Sequence, residues 1–246
     1  MKSFGILLKN EIRLSIRDMN MVIFAVLMPL VVLAVYGLIY GAAPAFDGAP
    51  YTMLEQSFGA LCAISMCAGG LMGLPMVVSD YRERRILRRM RVTPISPALL
   101  LGVELTVYVL YCAVSLMTLG AAAALFGRVR MPGSPAAFLG SWLLTMLSTL
   151  SIGLLVGGLA KNAKQAGVIA SAMYFPMLVF SGTTLPLERM PALLRQIVNV
   201  FPLSQGIGLM KRTFLGLEGG WALPVAVMAG VTVVCAGAAV RFFRWE

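Results

Sequence analysis

Histidine is absent from the 246-residue sequence, which removes the commonest general base and metal ligand at once. Charge is scarce as well. Asp, Glu, Lys and Arg make up 12% of the chain, against about 25% in an ordinary soluble domain. The 10 acidic residues do not cluster in the apolar stretches, so neither a carboxylate metal site nor an acid–base pair has material to form from. A nucleophilic Ser or Thr would have no base beside it. The four cysteines, Cys62, Cys67, Cys112 and Cys235, fall within apolar runs and make no metal-binding pair. They read as small packing residues. No Gly-Lys pair occurs, so the G-x-x-x-x-G-K-[ST] phosphate loop is missing. A membrane enzyme is the class these absences disfavour most.

What the chain has is apolar length. Hydrophobic residues make up 59% of it, with a mean hydropathy of +0.88. A helix needs about 20 mostly apolar residues to cross the hydrocarbon of a bilayer. Six runs meet that need, at 21–40, 57–79, 99–126, 138–160, 167–186 and 221–243. The expectation is an all-α integral membrane protein, with residues 1–246 forming one transmembrane domain. The first run follows a basic arm and lacks a small-residue cleavage site, so it is expected to persist as a span.

The basic residues are distributed unevenly among the connections. The N-terminal arm, the loop after the second span, the loop after the fourth and the C-terminus carry 14 of the 20 Lys and Arg, and the other loops carry 6. Short loops rich in Lys and Arg stay in the cytoplasm, so both termini are expected there. The net charge of +10 borders membrane spans and is matched to anionic headgroups rather than to nucleic acid.

Lys2, Lys9, Arg13 and Arg17 share one helix face of the arm, and Phe4, Leu8, Ile12, Ile16 and Met19 form a second stripe. Residues 1–20 thus read as an interfacial amphipathic helix. A helix packed on a protein partner would look similar. Gly69 with Gly73, and Gly153 with Gly157, are small pairs four apart that let helices approach closely. Pro29, Pro75 and Pro176 are expected to bend their helices.

Residues 181–220 differ from the rest. Ser181-Gly-Thr-Thr-Leu-Pro186 breaks the fifth span, Pro191 opens a short apolar helix, and Phe201-Pro202 stops it. An apolar run of about 10–14 residues is too short to cross and marks either a re-entrant hairpin or a helix lying on the outer surface. The re-entrant reading makes Ser181, Gly182, Pro186, Pro191, Leu194, Ile197, Phe201 and Pro202 an extracytoplasmic gate.

The segment 80–97, Asp80-Tyr-Arg-Glu-Arg-Arg-Ile-Leu-Arg-Arg-Met-Arg-Val-Thr-Pro-Ile-Ser-Pro97, is the most informative. Helix formers run from Arg82 to Arg91, and Pro94 forces the helix to end near Val92. Ile86, Leu87 and Met90 form an apolar stripe among six arginines. A short rigid helix of this kind suits docking into a groove on a soluble partner.

That segment resembles the coupling-helix motif of type-2 ABC exporter permeases, Glu-Arg/Lys-Gly-Thr-Leu-x-Arg-Leu-x-Val-Thr-Pro. Glu83, Arg84, Leu87, Arg89, Val92, Thr93 and Pro94 match it, Met90 replaces a leucine, and Arg85 and Ile86 depart from the usual Gly-Thr. The basic arm with Pro29 in the first span, and the stretch Phe180–Arg195 with Phe201-Pro-Leu-Ser204, resemble the same family.

The resemblance implies the permease half of an ATP-driven exporter in a prokaryotic plasma membrane. Arg82, Glu83, Arg84, Ile86, Leu87, Arg89, Met90, Thr93 and Pro94 would then couple to the ATPase. A second permease chain, identical or paralogous, would complete the pathway. The cytoplasmic ABC ATPase subunits would bind ATP and Mg, with no cofactor on this chain. A pathway wall of apolar residues suits drugs, lipopeptides or lipids as cargo, and the family also includes polysaccharide and sodium exporters. An ion-coupled secondary transporter is the rival class, and it needs ionisable groups inside the membrane. Only Glu104 lies clearly within a span, about one turn inside. There it is in reach of the interface or of an arginine of the preceding loop, while Glu55 sits near an outer edge.

Overall fold

A computed structural model describes residues 2–17, 19–46, 48–84, 97–125, 129–180 and 201–242. Among them, eight helices follow one another: α1 (Lys2–Arg17), α2 (Met19–Tyr40), α3 (Met53–Glu83), α4 (Pro97–Leu125), α5 (Pro135–Leu159), α6 (Ala163–Phe180), α7 (Pro202–Leu215) and α8 (Ala222–Phe242). Helices α2, α3, α4, α5 and α8 are each long and apolar enough to cross a bilayer. The protein is an all-α integral membrane protein with several spans. Helix α6 covers the described part of the fifth expected span, whose remainder (181–186) lies outside the described residues.

The helices begin and end where local chemistry directs. Helix α3 opens with a capping box. The Thr52 hydroxyl accepts from the Glu55 N–H at 3.2 Å, and the Glu55 carboxylate accepts from the Thr52 N–H at 2.7 Å. Helix α5 has Ser134 as its N-cap and Pro135 in its first turn, where the missing N–H costs nothing. Helix α7 ends at Gly216, whose left-handed φ of 66° suits glycine.

Two of the three expected bends have an identifiable form. A proline in a helix loses its own hydrogen bond and collides with the carbonyl four residues back. Pro29 and Pro75 each follow a π turn, Ile23–Leu27 and Cys67–Gly73, that contains that carbonyl, at Ala25 and Leu71. The wider turn makes room for the ring.

The core lies around α3 and α5. Of their most apolar windows, 72% and 67% of residues are buried, against 17% for α2 and for α8, so α3 and α5 are central and the other two face outward. The small pairs mark the seam between them. A Cβ on Gly153 would overlap the Gly70 carbonyl oxygen, and one on Gly157 would sit 2.9 Å from the Val78 Cβ. Gly69 and Gly73 instead admit the Tyr108 ring of α4. In lipid, where apolar contact alone gives no advantage, such close backbone packing holds helices together. Phe58, Phe138 and Phe214 close one end of the core, with ring centroids 4.7–6.0 Å apart. Cys62, Cys67 and Cys112 are buried packing residues, and Cys235 is half-buried.

Helix α1 packs on α4, where the Ser15 and Tyr111 hydroxyls meet at 2.9 Å, and Lys9, Arg13 and Arg17 stay exposed. The arm therefore has a protein neighbour along one side and a basic face on the other.

Candidate coupling and transport site

The described beginning of the 80–97 segment sits at one end of the helix bundle. Arg82, in the last turn of α3, reaches the C-terminal end of α5. Its guanidinium donates to the carbonyls of Gly158 at 2.5 Å, Ala160 at 2.8 Å and Gly157 at 3.4 Å. Those carbonyls lack partners within α5 and carry the negative end of its dipole, so a cation is the matching charge. Ser79 also donates to Gly157, at 3.2 Å.

Glu83 faces the other side of the same turn. Its carboxylate accepts from the Ala163 N–H at 3.0 Å, at the positive start of α6. The turn itself is closed by Asn162, whose side chain accepts from the Gln165 N–H at 2.8 Å, and by Gln165, which accepts from the Lys161 N–H at 2.9 Å. Arg84 pairs with Asp80 one turn back at 2.8 Å and remains largely exposed. Two consecutive residues of opposite charge thus clamp two successive helix ends. Ile86, Leu87, Arg89, Met90, Thr93 and Pro94 lie outside the described residues.

Beside this clamp lies a cavity of about 800 Å³, between α1, α2, α3, α4 and α6. Glu104 of α4 is 5% exposed and accepts from the Tyr81 hydroxyl at 2.7 Å. Glu11 of α1 lies against both groups. Glu104 therefore does not pair with an arginine among the described residues. A tyrosine and a second carboxylate surround it instead. The reading of the sequence missed Tyr81 and Glu11 as its neighbours. One signal was present, since Glu11 is the single acid in a helix with four basic residues.

At the opposite end, Glu55 is 6% exposed and holds a loop as well as its own helix start, accepting from the Arg130 N–H at 2.6 Å. It is a structural cap. Phe201 is half-buried against the core, and its carbonyl accepts from Ser204 and Gln205 at 3.1 and 3.3 Å. Pro202 starts a helix: α7 buries Leu203, Ile207, Met210 and Phe214, spaced four, three and four residues apart. The 181–220 reading had no helix here, although that spacing and a first-turn proline signalled one. Gly206 lies against Thr145 near the middle of α5, while Thr213 meets Ser141 closer to its start, at 2.9 Å. Helix α7 thus runs from mid-depth towards the bundle end where α5 begins. Ser181, Gly182, Pro186, Pro191, Leu194 and Ile197 fall outside the described residues.

Comparison with known proteins agrees with this architecture. The family model described as "ABC-2 type transporter" matches residues 2–215. The chain is 28% identical over 96 residues, 39% of its length, to the probable multidrug ABC transporter permease YbhS of Escherichia coli strain K12. It is 27% identical over 104 residues, 41% of its length, to the inner membrane transport permease YhhJ of the same strain. With Nodulation protein J of Neorhizobium galegae it shares 33% identity over 73 residues, 30% of its length. The matched segments span only 24–28% of these relatives. The family match, by contrast, covers most of the chain, which belongs to the ABC-2 type transporter family.

Proposed function

We propose that the chain is the permease subunit of an ATP-driven exporter, energised by separate cytoplasmic ABC ATPase subunits and working beside a second permease chain. Its cargo is amphipathic or hydrophobic: a drug, lipopeptide or lipid. Both termini and the 80–97 segment face the cytoplasm, on the 14-to-6 distribution of basic residues. The observation that carries the reading is the clamp. Arg82 and Glu83 sit at the root of the segment that would touch the ATPase, and each grips a different membrane helix. A push on that segment would reach α5 and α6 together. The half-depth helix α7 supports a gate built from 181–202 at the other end.

An ion-coupled transporter is the second reading, favoured by the Glu11–Glu104 pair, since coupling ions need intramembrane carboxylates. Reconstitution in vesicles separates the two. Export by the chain with its ATPase partner should require ATP hydrolysis and persist when ion gradients are collapsed. Export driven by an imposed gradient without ATP would replace the first reading with the second.

A further inference from the structure

The cavity beside the clamp has a lining that selects for charge. Three of its lining residues are acidic, Glu11, Asp80 and Glu104, and among the described residues none is Lys or Arg. Asp80 is already matched by Arg84. Among the described residues Glu11 and Glu104 have no such basic partner: they lie against each other, with Tyr81 donating to Glu104. Two neighbouring carboxylates gather negative charge at one place in the lining, and a cation beside them offsets it. The remaining walls are apolar and aromatic, with Phe24 on α2, Tyr108 on α4, and Tyr174 and Phe175 on α6. Aromatic faces attract a cation through their quadrupole and cover apolar groups equally well. About 800 Å³ is the size of a small-molecule site.

We propose that this cavity is the cargo-binding site for a lipophilic cation, an amine or onium group on an apolar body. The charged head sits beside the Glu11–Glu104 pair, and the body lies against Phe24 and Phe175. An anionic amphiphile of the same shape is repelled by the carboxylates. A neutral one adds no charge to offset theirs. The inference rests on the exporter reading for its direction of transport, and on the cavity alone for the class of ligand.

The test uses two probes of nearly equal shape and opposite charge, tetraphenylphosphonium and tetraphenylborate, with the permease and its ATPase partner in nanodiscs. Saturable binding of the cation is expected, with none of the anion. Glu104→Gln and Glu11→Gln should each weaken cation binding at least about tenfold, because each removes one of the two carboxylates that face the cation. Glu11 is half-buried on α1, so Glu11→Gln tests the site even where Glu104→Gln fails to fold; ATPase co-purification reports folding in both. Equal saturable binding of the two probes, or full cation binding in the folded Glu11→Gln variant, overturns the proposal. A complex that assembles and hydrolyses ATP but binds no tetraphenylphosphonium refutes the cargo class and leaves the exporter reading standing. Binding that depends on Glu11 and Glu104, without ATP-driven movement of the cation, supports the site and refutes the exporter reading.

Discussion

Arg82 donates to the carbonyl of Ala160 at 2.8 Å, tying the last turn of α3 to the end of α5 across 78 positions of sequence. The next residue, Glu83, holds the first N–H of α6. The order of charges is the one the helix dipoles require, a cation at a C-terminus and an anion at an N-terminus. Reversing either charge would set it against a helix end of its own sign.

The clamp predicts a graded mutational series. Arg82→Ala leaves the carbonyls of Gly158 and Ala160 without a charged donor, at a cost of about 1.5–3 kcal/mol. Arg82→Lys should recover only part of this, since one ammonium on a flexible stem replaces a planar fork of donors. Glu83→Ala removes an exposed acceptor from the start of α6 and should cost about 0.5–1 kcal/mol. Thermal unfolding in detergent should rank stability as wild type, then Glu83→Ala, then Arg82→Lys, then Arg82→Ala. If Arg82→Ala unfolds with the wild type, the contact does not hold α5.

Glycines that look alike in the sequence should behave differently. A Cβ on Gly153 would overlap the Gly70 carbonyl oxygen, whereas one on Gly140 of the same helix meets nothing within 4 Å. Gly153→Ala should therefore separate α3 from α5 and cost about 1–3 kcal/mol, the usual penalty of overpacking. Gly140→Ala should be neutral or slightly stabilising. Equal yields of folded protein for the two variants would contradict the α3–α5 seam.

The seam and the clamp differ in how visible they are before folding. Hydropathy is a local property. The runs at 57–79 and 138–160 therefore appear as α3 and α5 within about a turn at each end, and the Gly pairs mark their contact faces. Pairings between distant residues leave no periodic trace. Arg82 with Ala160, Glu83 with Ala163, and Tyr81 with Glu104 join segments whose order in space is set by packing. The pattern of their neighbours points Arg82 and Glu83 to a docking role, while their contacts in the structure are with the protein's own helices. Helix α7 is hard to read from sequence because a proline after an aromatic reads equally as a stop and as a start. Its four buried residues, Leu203, Ile207, Met210 and Phe214, settle the choice only once they have a wall to face.

The orientation of the bundle can be checked by labelling. Single cysteines near Gly48 and Gly219 should react with an impermeant thiol reagent from outside. Those near Arg88 and Lys164 should react only after the membrane is opened. The background must lack Cys235, which is half-buried, whereas Cys62, Cys67 and Cys112 are fully buried. Reaction at Arg88 from outside would invert the topology and place the clamp on the wrong side for an ATPase.

The sharpest prediction concerns the tip of the segment whose root is the clamp. A rigid arm transmits force only if its tip is seated, and seating requires apolar anchors. Leu87 matches the family motif and Met90 stands where the motif has a leucine, so both should enter a groove on the ATPase, where truncating a buried Leu or Met costs roughly 2–5 kcal/mol. The flanking arginines would lie at the groove rim or on headgroups, where a single loss costs about 0–1 kcal/mol. The Leu87→Ala/Met90→Ala variant should insert and unfold like the wild type, because neither residue belongs to the clamp, yet lose ATPase co-purification and transport. Arg88→Ala should retain both. Arg82→Ala should give the converse pattern, binding the ATPase while transport falls, because the tip still docks but the push no longer reaches α5. Full transport in the double variant would remove the segment from the mechanism. Loss of ATPase binding in Arg82→Ala would show that the clamp shapes the docking surface rather than relaying its motion.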